Sequence, residues 1–466
     1  MMKITITGAM QAGAGLFPRR SGAKVQILSL VAIMLALLPA VSYAVDKTWT
    51  GSANANWDGS SNWLPSGMPT TNDTAIFDGT GINYTNINLR AARTLSALSF
   101  TTGQTNAVTI RGTATTHTLT FTNGSGTKIS VATGDHRLVA FTNTSSDNFV
   151  LFYADAITNH IATGASLEIA GRIPKRPQTG SDGTGVLNYY TKTGGGTLIL
   201  SGNNGSSSAW QFNGGSGFKV QEGVLRLAHS NASGNSGNNF LVSSGAALEI
   251  TNCSPSSATG TWTLNGTGIS SNGALRSIGG ANALNSSGTG TVALASSSSI
   301  GVDTGTLTVR RVISGAAPRM LTKVGSGTLV LSTNNTYSGG TTVREGTLSF
   351  GVDNALSVSN ALTLAGGTLA MGSYSNAFST LTLAGDATIN LGDGTGSLSF
   401  TDSSALSWTG SLSLTGTLGE KTLRFGQNNS GLLPEQKSKI TWSGKRIMLD
   451  KDGYVAITRG TVVIIQ

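Results

Sequence analysis

Along this chain apolar side chains recur at every second position over very short stretches, and Gly, Asn or Ser soon follows to turn the backbone. Leu98 and Phe100, Val108 and Ile110, Leu119 and Phe121, Ile129 and Val131, Leu248 and Ile250, and Leu307 and Val309 are such doublets. A period of two over about four residues predicts a strand buried on one face. Two inward residues per strand cannot close a core alone, so many such strands must stack. The stretch 323–351, KVGSGTLVLSTNNTYSGGTTVREGTLSFG, shows the unit most fully as strand, turn, strand, turn. Leu329, Leu348, Leu369 and Ile389 follow one another at 19, 21 and 20 residues, and Val343, Leu362 and Leu381 form a second series at 19 and 19. Two series in constant phase predict coils of about 20 residues carrying at least two strands each. The expected fold is all-β: a right-handed parallel β-helix or β-solenoid with capped ends.

The unit occurs twice. Segment 192–204 (KTGGGTLILSGNN) matches 323–335 (KVGSGTLVLSTNN), and Val220-Gln221-Glu222-Gly223 matches Val343-Arg344-Glu345-Gly346. Residues Lys323 to Leu348 resemble the autotransporter-associated β-strand repeat, or passenger-associated repeat, nearly in full, with Thr333 where that family usually has Gly. The first copy departs from the pattern after Asn204. There 15 residues (205–219) stand between Asn204 and Val220, against 7 (336–342) between Asn335 and Val343. The extra segment GSSSAWQFNGGSGFK is expected to loop outward at a coil corner, carrying Trp210 and Phe212 as a candidate ligand contact. The resemblance implies an exported, passenger-like architecture and names no ligand.

The ends differ from the coils. Arg19, Arg20 and Lys24 precede an uncharged run closed by Pro39, and Ser42-Tyr43-Ala44 offers small residues at the −3 and −1 positions of a cleavage site. Residues 1–44 are therefore expected to be a signal peptide, with Ser42 and Ala44 as the cleavage determinants. Residues 45–95 open on Trp49, Trp57 and Trp63 and resemble the start of exported proteins with this repeat. Their indoles are expected to plug the open core end of the first coils, a sugar-stacking platform being the alternative. The solenoid is expected over 96–431, with repeats near 192–228 and 323–351. Segment 432–466 differs in charge and reads as a C-terminal cap or tail. Segment 141–162, with Phe149, Leu151, Tyr153 and Ile157, fits a strand or a helical turn equally. At Ile173-Pro174-Lys175-Arg176-Pro177 the prolines predict a loop, and Arg172, Lys175 and Arg176 a solvated basic patch.

Composition narrows the function. Charged residues make up 11% of the chain against about 25% in an average domain, while 63 residues are Gly and only 9 are Pro. Regular apolar doublets argue against disorder. Removing the four basic residues of 1–44 lowers the formal net charge from +9 to +5, so half the basicity belongs to the leader and no nucleic-acid partner is expected. Cys253 is the single cysteine, excluding an intramolecular disulfide. His117, His136, His160 and His229 lack metal spacing, and no nucleophile elbow or phosphate loop occurs. Asp386 and Asp393 are the nearest thing to an acid pair, and both read as turn residues.

No catalytic residue, cofactor or metal is expected. The reading is an exported non-catalytic scaffold or surface interaction protein of the bacterial cell envelope, located outside the cell, on its surface or in the periplasm. Its partner would be an envelope polysaccharide or another surface protein, and membrane contact would come only through the signal peptide. The alternatives are a polysaccharide-degrading lyase or hydrolase on the same fold and a carbohydrate-binding module.

Overall fold

The computed structural model describes residues 44–79, 83–122, 126–142, 149–152, 156–173, 187–204, 212–234, 237–255, 259–285, 289–316 and 318–457, with backbone alone at 156, 187–188 and 212–216. Short strands dominate, and consecutive coils pair in parallel through the length of the stack. This is a parallel β-helix. In a representative coil, Val312–Ser314 lies on a first face, Leu321–Val324 on a second and Thr328–Leu331 on a third. The second face is a sheet of 13 strands from Asn86–Leu89 to Leu381–Leu383. At about 4.8 Å per rung that ladder is roughly 58 Å long. The first face is a 12-stranded sheet ending at Val312–Ser314. The third begins as three strands, Arg93–Leu95, Leu119–Phe121 and Val150–Phe152, and resumes as a ten-stranded sheet from Ala281–Leu284. A further three-stranded sheet of Asn376–Phe378, Leu398–Phe400 and Leu423–Phe425 belongs to the last coils.

The alternation read from the sequence sets the inside of the stack. Leu329 pairs with Leu348, Leu348 with Leu369 and Leu369 with Ile389, and all four are fully buried. The second series is shifted at its first step, where Val343 pairs with Leu364 and Thr341 with Leu362. The coil length is not constant. Leu321 to Thr341, Thr341 to Leu362 and Leu362 to Leu381 are steps of 20, 21 and 19 residues, whereas Arg137 to Glu168 takes 31 and Leu198 to Leu225 takes 27. The longer coils keep their ladders in register by placing the additional residues between strands, where a parallel ladder tolerates them.

Aromatic side chains stack along the core like the aliphatic ones. Phe350, Phe378, Phe400 and Phe425 form one column with ring centroids 6.1, 5.4 and 5.2 Å apart. Another runs from Phe121 through Phe152, Tyr190, Phe218 and Phe240 to Trp262, and the guanidinium of buried Arg311 lies 4.9 Å from the Trp262 ring centroid. Such contacts add to burial because ring edges and faces carry opposite partial charge.

At the N-terminal end Trp49, Trp57 and Trp63 are buried. Their indoles meet edge to face at 5.1 and 4.7 Å, and Trp63 lies 6.1 Å from Phe77. Buried rings of this kind close a core end and leave no platform for a sugar. Strand Trp63–Leu64 pairs antiparallel with Lys47–Trp49 and so breaks the parallel repeat. At the other end a short helix, Pro434–Ser438, precedes Ile440–Trp442, which joins the third face in parallel. Lys445–Leu449 and Val455–Ile457 then fold back antiparallel. The Gln436 amide donates to the carbonyls of Ser403 and Leu406 at 2.9 and 2.7 Å, fixing the helix over the last core layer.

Two expectations are revised and one open segment is decided. Phe212–Val220 is one strand paired with Leu187–Thr193, so the second half of the inserted segment lengthens the first face instead of looping out. Register shifts between Leu187 and Tyr189 and absorbs the excess there. Segment 141–162 contributes two strands, Val150–Phe152 and Ala156–Ile161, with Phe149 buried. Arg172 is buried as well, so it is no part of a solvated patch; Lys175 and Arg176 lie outside the described residues.

Leu348 contacts the core column on both sides, so Leu348→Ala leaves a cavity that neighbouring coils cannot fill and should cost about 2–5 kcal/mol. Urea unfolding followed by far-UV circular dichroism measures this. A loss well under about 1 kcal/mol would show that Leu348 is not a core residue.

Candidate functional site

The polar residues that mark the two repeats lie at the corners and bind coil to coil. Lys192 and Lys323 stand in inward-facing positions, paired across the ladder with Val220 and Val343. Both are buried, and each stem runs along the core to bring Nζ to a corner. Lys323 Nζ donates to the carbonyls of Val324, Gly325 and, in the next coil, Glu345, at 2.8, 2.6 and 3.1 Å. Lys192 repeats this with Thr193, Gly194 and Glu222 at 2.9, 2.6 and 3.2 Å. The Glu345 carboxylate accepts from Gly325 N–H at 3.1 Å, as Glu222 does from Gly194 at 2.7 Å. Each corner is thus bound twice across the same gap, from donors of one coil to acceptors on the Glu of the next.

The second Asn of each repeat spans three coils. Asn335 Oδ1 accepts from Ile313 N–H at 2.7 Å and its amide donates to Ala355 carbonyl at 2.8 Å. Asn204 does the same between Ile173 and Ala232, at 2.8 and 3.3 Å. Gly346 has φ +61°, and a Cβ there would stand 2.4 Å from the carbonyl oxygens of Gly325 and Gly327. Only Gly permits that approach.

The outer side of the second face carries a groove of about 800 Å³. Its floor is one column of side chains in register, Asn88, Arg111, Val139 and Ala170. The column continues through Ser201 and Ala228, whose N–H groups bond to Ile169 and Leu200 of the preceding coil. Five rungs of about 4.8 Å give a trough of roughly 24 Å along the stacking direction. One wall is the neighbouring column with Arg137 and Glu168, and the other holds Thr113, Phe141 and His229.

Arg137 Nε donates to Glu168 at 2.7 Å, and Ser201 Oγ donates to the other carboxylate oxygen at 2.5 Å. Burial alone would raise the Glu168 pKa, but these bonds and the guanidinium charge outweigh it and hold the carboxyl below its ordinary range. Arg111 is exposed and has no ion pair among the described residues. Phe141 is 54% exposed. His229 Nδ1 accepts from Asn231 N–H at 3.0 Å, leaving the proton on Nε2, and burial lowers its pKa.

Further along the same face Arg226, Glu249, Arg276 and Asp303 form a chain of ion pairs at 2.7–3.0 Å, each on a successive coil. Glu249, held between two guanidiniums, is fully committed. Asp386 accepts from Ser411 N–H and Oγ of the next coil, both at 2.8 Å, and Asp393 closes a turn with Thr395 at 2.9 and 2.6 Å. The two do not form an acid pair. Cys253 is buried with its Sγ 3.3 Å from Leu227 carbonyl, and burial pushes the thiol up to about 11. His136 stacks on Phe100 with centroids 4.0 Å apart and accepts from Val108 N–H through Nδ1. Among the described residues no three His, Cys, Asp or Glu side chains gather as a metal site would need.

Ser42 and Trp210 lie outside the described residues, Ala44 is exposed, and Phe212 opens a first-face strand. Sequence reasoning missed the groove because its floor residues come from coils of unequal length. The inward direction of Lys192 and Lys323 was available, since each stands in phase with the apolar positions of its own strand.

Two segments, 191–227 and 321–350, match the family model described as passenger-associated-transport-repeat. The chain therefore carries two copies of that repeat, and they coincide with the two Lys, Asn and Glu corners. No curated protein and no solved structure matches the chain.

Burial pulls the pKa of Lys192 and of Lys323 down to about 8, against an upward pull from Glu222 and Glu345. Between that value and the ordinary 10.5 the folded chain holds fewer protons than the unfolded one, so this contribution to stability grows as pH rises through the window. Denaturant midpoints at pH 7.5 and 10 for the wild type and for Lys192→Met/Lys323→Met should show the wild-type advantage widening at pH 10. A narrowing would contradict the assignment.

Proposed function

We propose that this chain is an exported, non-catalytic β-solenoid of the bacterial cell envelope, a passenger-type scaffold that presents its outer faces to a partner. The observation that carries this reading is the use of the repeat's polar residues: Lys192, Lys323, Asn204, Asn335, Glu222 and Glu345 all fasten one coil to the next. The repeat's polar residues in this chain serve stacking, which leaves the outer columns to present other side chains. Export accords with the passenger-type repeat and with the leader features of residues 1–44.

The alternative of a polysaccharide lyase or hydrolase requires an acid and a base near one another and available to substrate. Glu168, the carboxylate in the groove, is bound by Arg137 and Ser201 and held ionised, which suits a positioning contact and not proton donation. Glu249 and Asp303 are bridged by Arg276. These pairings favour binding over turnover.

Expression in a bacterial host followed by N-terminal sequencing of the exported protein should give Val45 as the first residue. Incubation of that protein with pectate, alginate, chitin and peptidoglycan should release neither reducing ends nor unsaturated uronates. Retention of the leader in the cytoplasm would overturn export, and turnover abolished by Glu168→Gln would overturn the non-catalytic reading.

A further inference from the structure

We propose that the trough floored by Arg111, Val139, Ala170 and Ser201 binds a linear, carboxylate-bearing glycan lying along the stacking direction. The proposal rests on the scaffold reading and adds its ligand class. Three features of the trough point to this ligand.

The first is shape. The floor advances by one side chain per coil, so it offers contacts at a regular interval over about 24 Å, which suits an extended polymer better than a compact small molecule. Val139, Ala170 and Ala228 are short, and this is why the trough is recessed below the Arg137 and Phe141 walls.

The second is chemistry. Arg111 has no ion pair among the described residues, and its exposed guanidinium can hold a carboxylate through two parallel bonds. Phe141, 54% exposed on the facing wall, presents a ring on which the apolar face of a pyranose stacks. Thr113 and the His229 Nε2–H supply hydroxyl-directed contacts. Guanidinium, aromatic face and hydroxyl partners together match a sugar that carries an acid group.

The third is exclusion of other polymers. A peptide adding as a strand needs a free backbone edge, and the floor is the face of a sheet whose strands are paired on both sides. A nucleic acid requires several unneutralised cations in line, but Arg137 is neutralised by Glu168, leaving Arg111 as the unpaired arginine among the described residues of the trough. One such charge fits a glycan with widely spaced carboxylates.

The test is isothermal titration of the exported protein with gellan and with hyaluronate, whose carboxylates are separated by neutral sugars, with dextran as the neutral polymer. At least one carboxylated polymer should bind, dextran should bind more weakly, and rising salt should narrow the difference. Arg111→Gln and Phe141→Ala should each weaken binding about tenfold, since both are surface positions whose loss removes one contact. Arg276→Gln, on the same face two coils beyond the last rung of the trough, should leave binding unchanged. Failure of both carboxylated polymers to bind, or binding indifferent to Arg111→Gln and Phe141→Ala, overturns the proposal. Breakdown of a bound polymer during the titration, seen as unsaturated uronate absorbance, would instead overturn the non-catalytic reading while leaving the groove as the binding site.

Discussion

A parallel stack depends on close backbone approach at its corners. Each strand bonds only to the coils before and after it, so no coil is stable unless successive corners come close enough for those ladders to form. Here the approach is set by Gly346 over Gly325 and Gly327, and by Gly223 over Gly194 and Gly196, where even a methyl group would meet carbonyl oxygen at 2.4 Å. The same corners gather several backbone carbonyls, which crowds negative partial charge. Lys323 and Lys192 answer it by placing an ammonium among three carbonyls from two coils. The three bonds made at both copies of the repeat offset only part of the burial cost of the charge, and the pKa of each lysine stays below its ordinary value.

The fold was legible because strand interiors obey a local rule. The Leu329, Leu348, Leu369 and Ile389 column follows residue by residue from alternation and a 20-residue period. Where coils lengthen, as from Arg137 to Glu168, the period dissolves and only alternation remains, so strands were visible but their partners were not. The same cause hid the groove. Its floor draws on Asn88, Arg111, Val139 and Ala170, whose spacings of 23, 28 and 31 residues have no common beat. The inserted segment misled for a related reason: residues added to a strand that can lengthen need not leave the sheet, and Phe212–Val220 pairs instead of looping.

Both ends follow from the same constraint. A stack without caps would expose open ladders and an open core to other chains. Trp49, Trp57 and Trp63 fill one end with indole, and the antiparallel return of Lys445–Leu449 and Val455–Ile457 turns the ladder direction at the other. With the interior and the ends committed to structure, the outer columns are what the stack presents to solvent. On the second face these divide into a saturated chain of ion pairs from Arg226 to Asp303 and a trough with an unpaired Arg111.

The repeat's signature residues act on their own coil and its immediate neighbours and no further. Hydrogen exchange by mass spectrometry on Asn335→Ala tests it directly, because Asn335 takes its bonds from Ile313 and Ala355 alone among distant partners. Peptides covering 312–316 and 353–357 should lose protection, while those covering the second-face strands from Asn86–Leu89 to Ser166–Ala170 should exchange as in the wild type. Protection lost evenly along the chain, or unchanged at 312–316 and 353–357, would contradict the account.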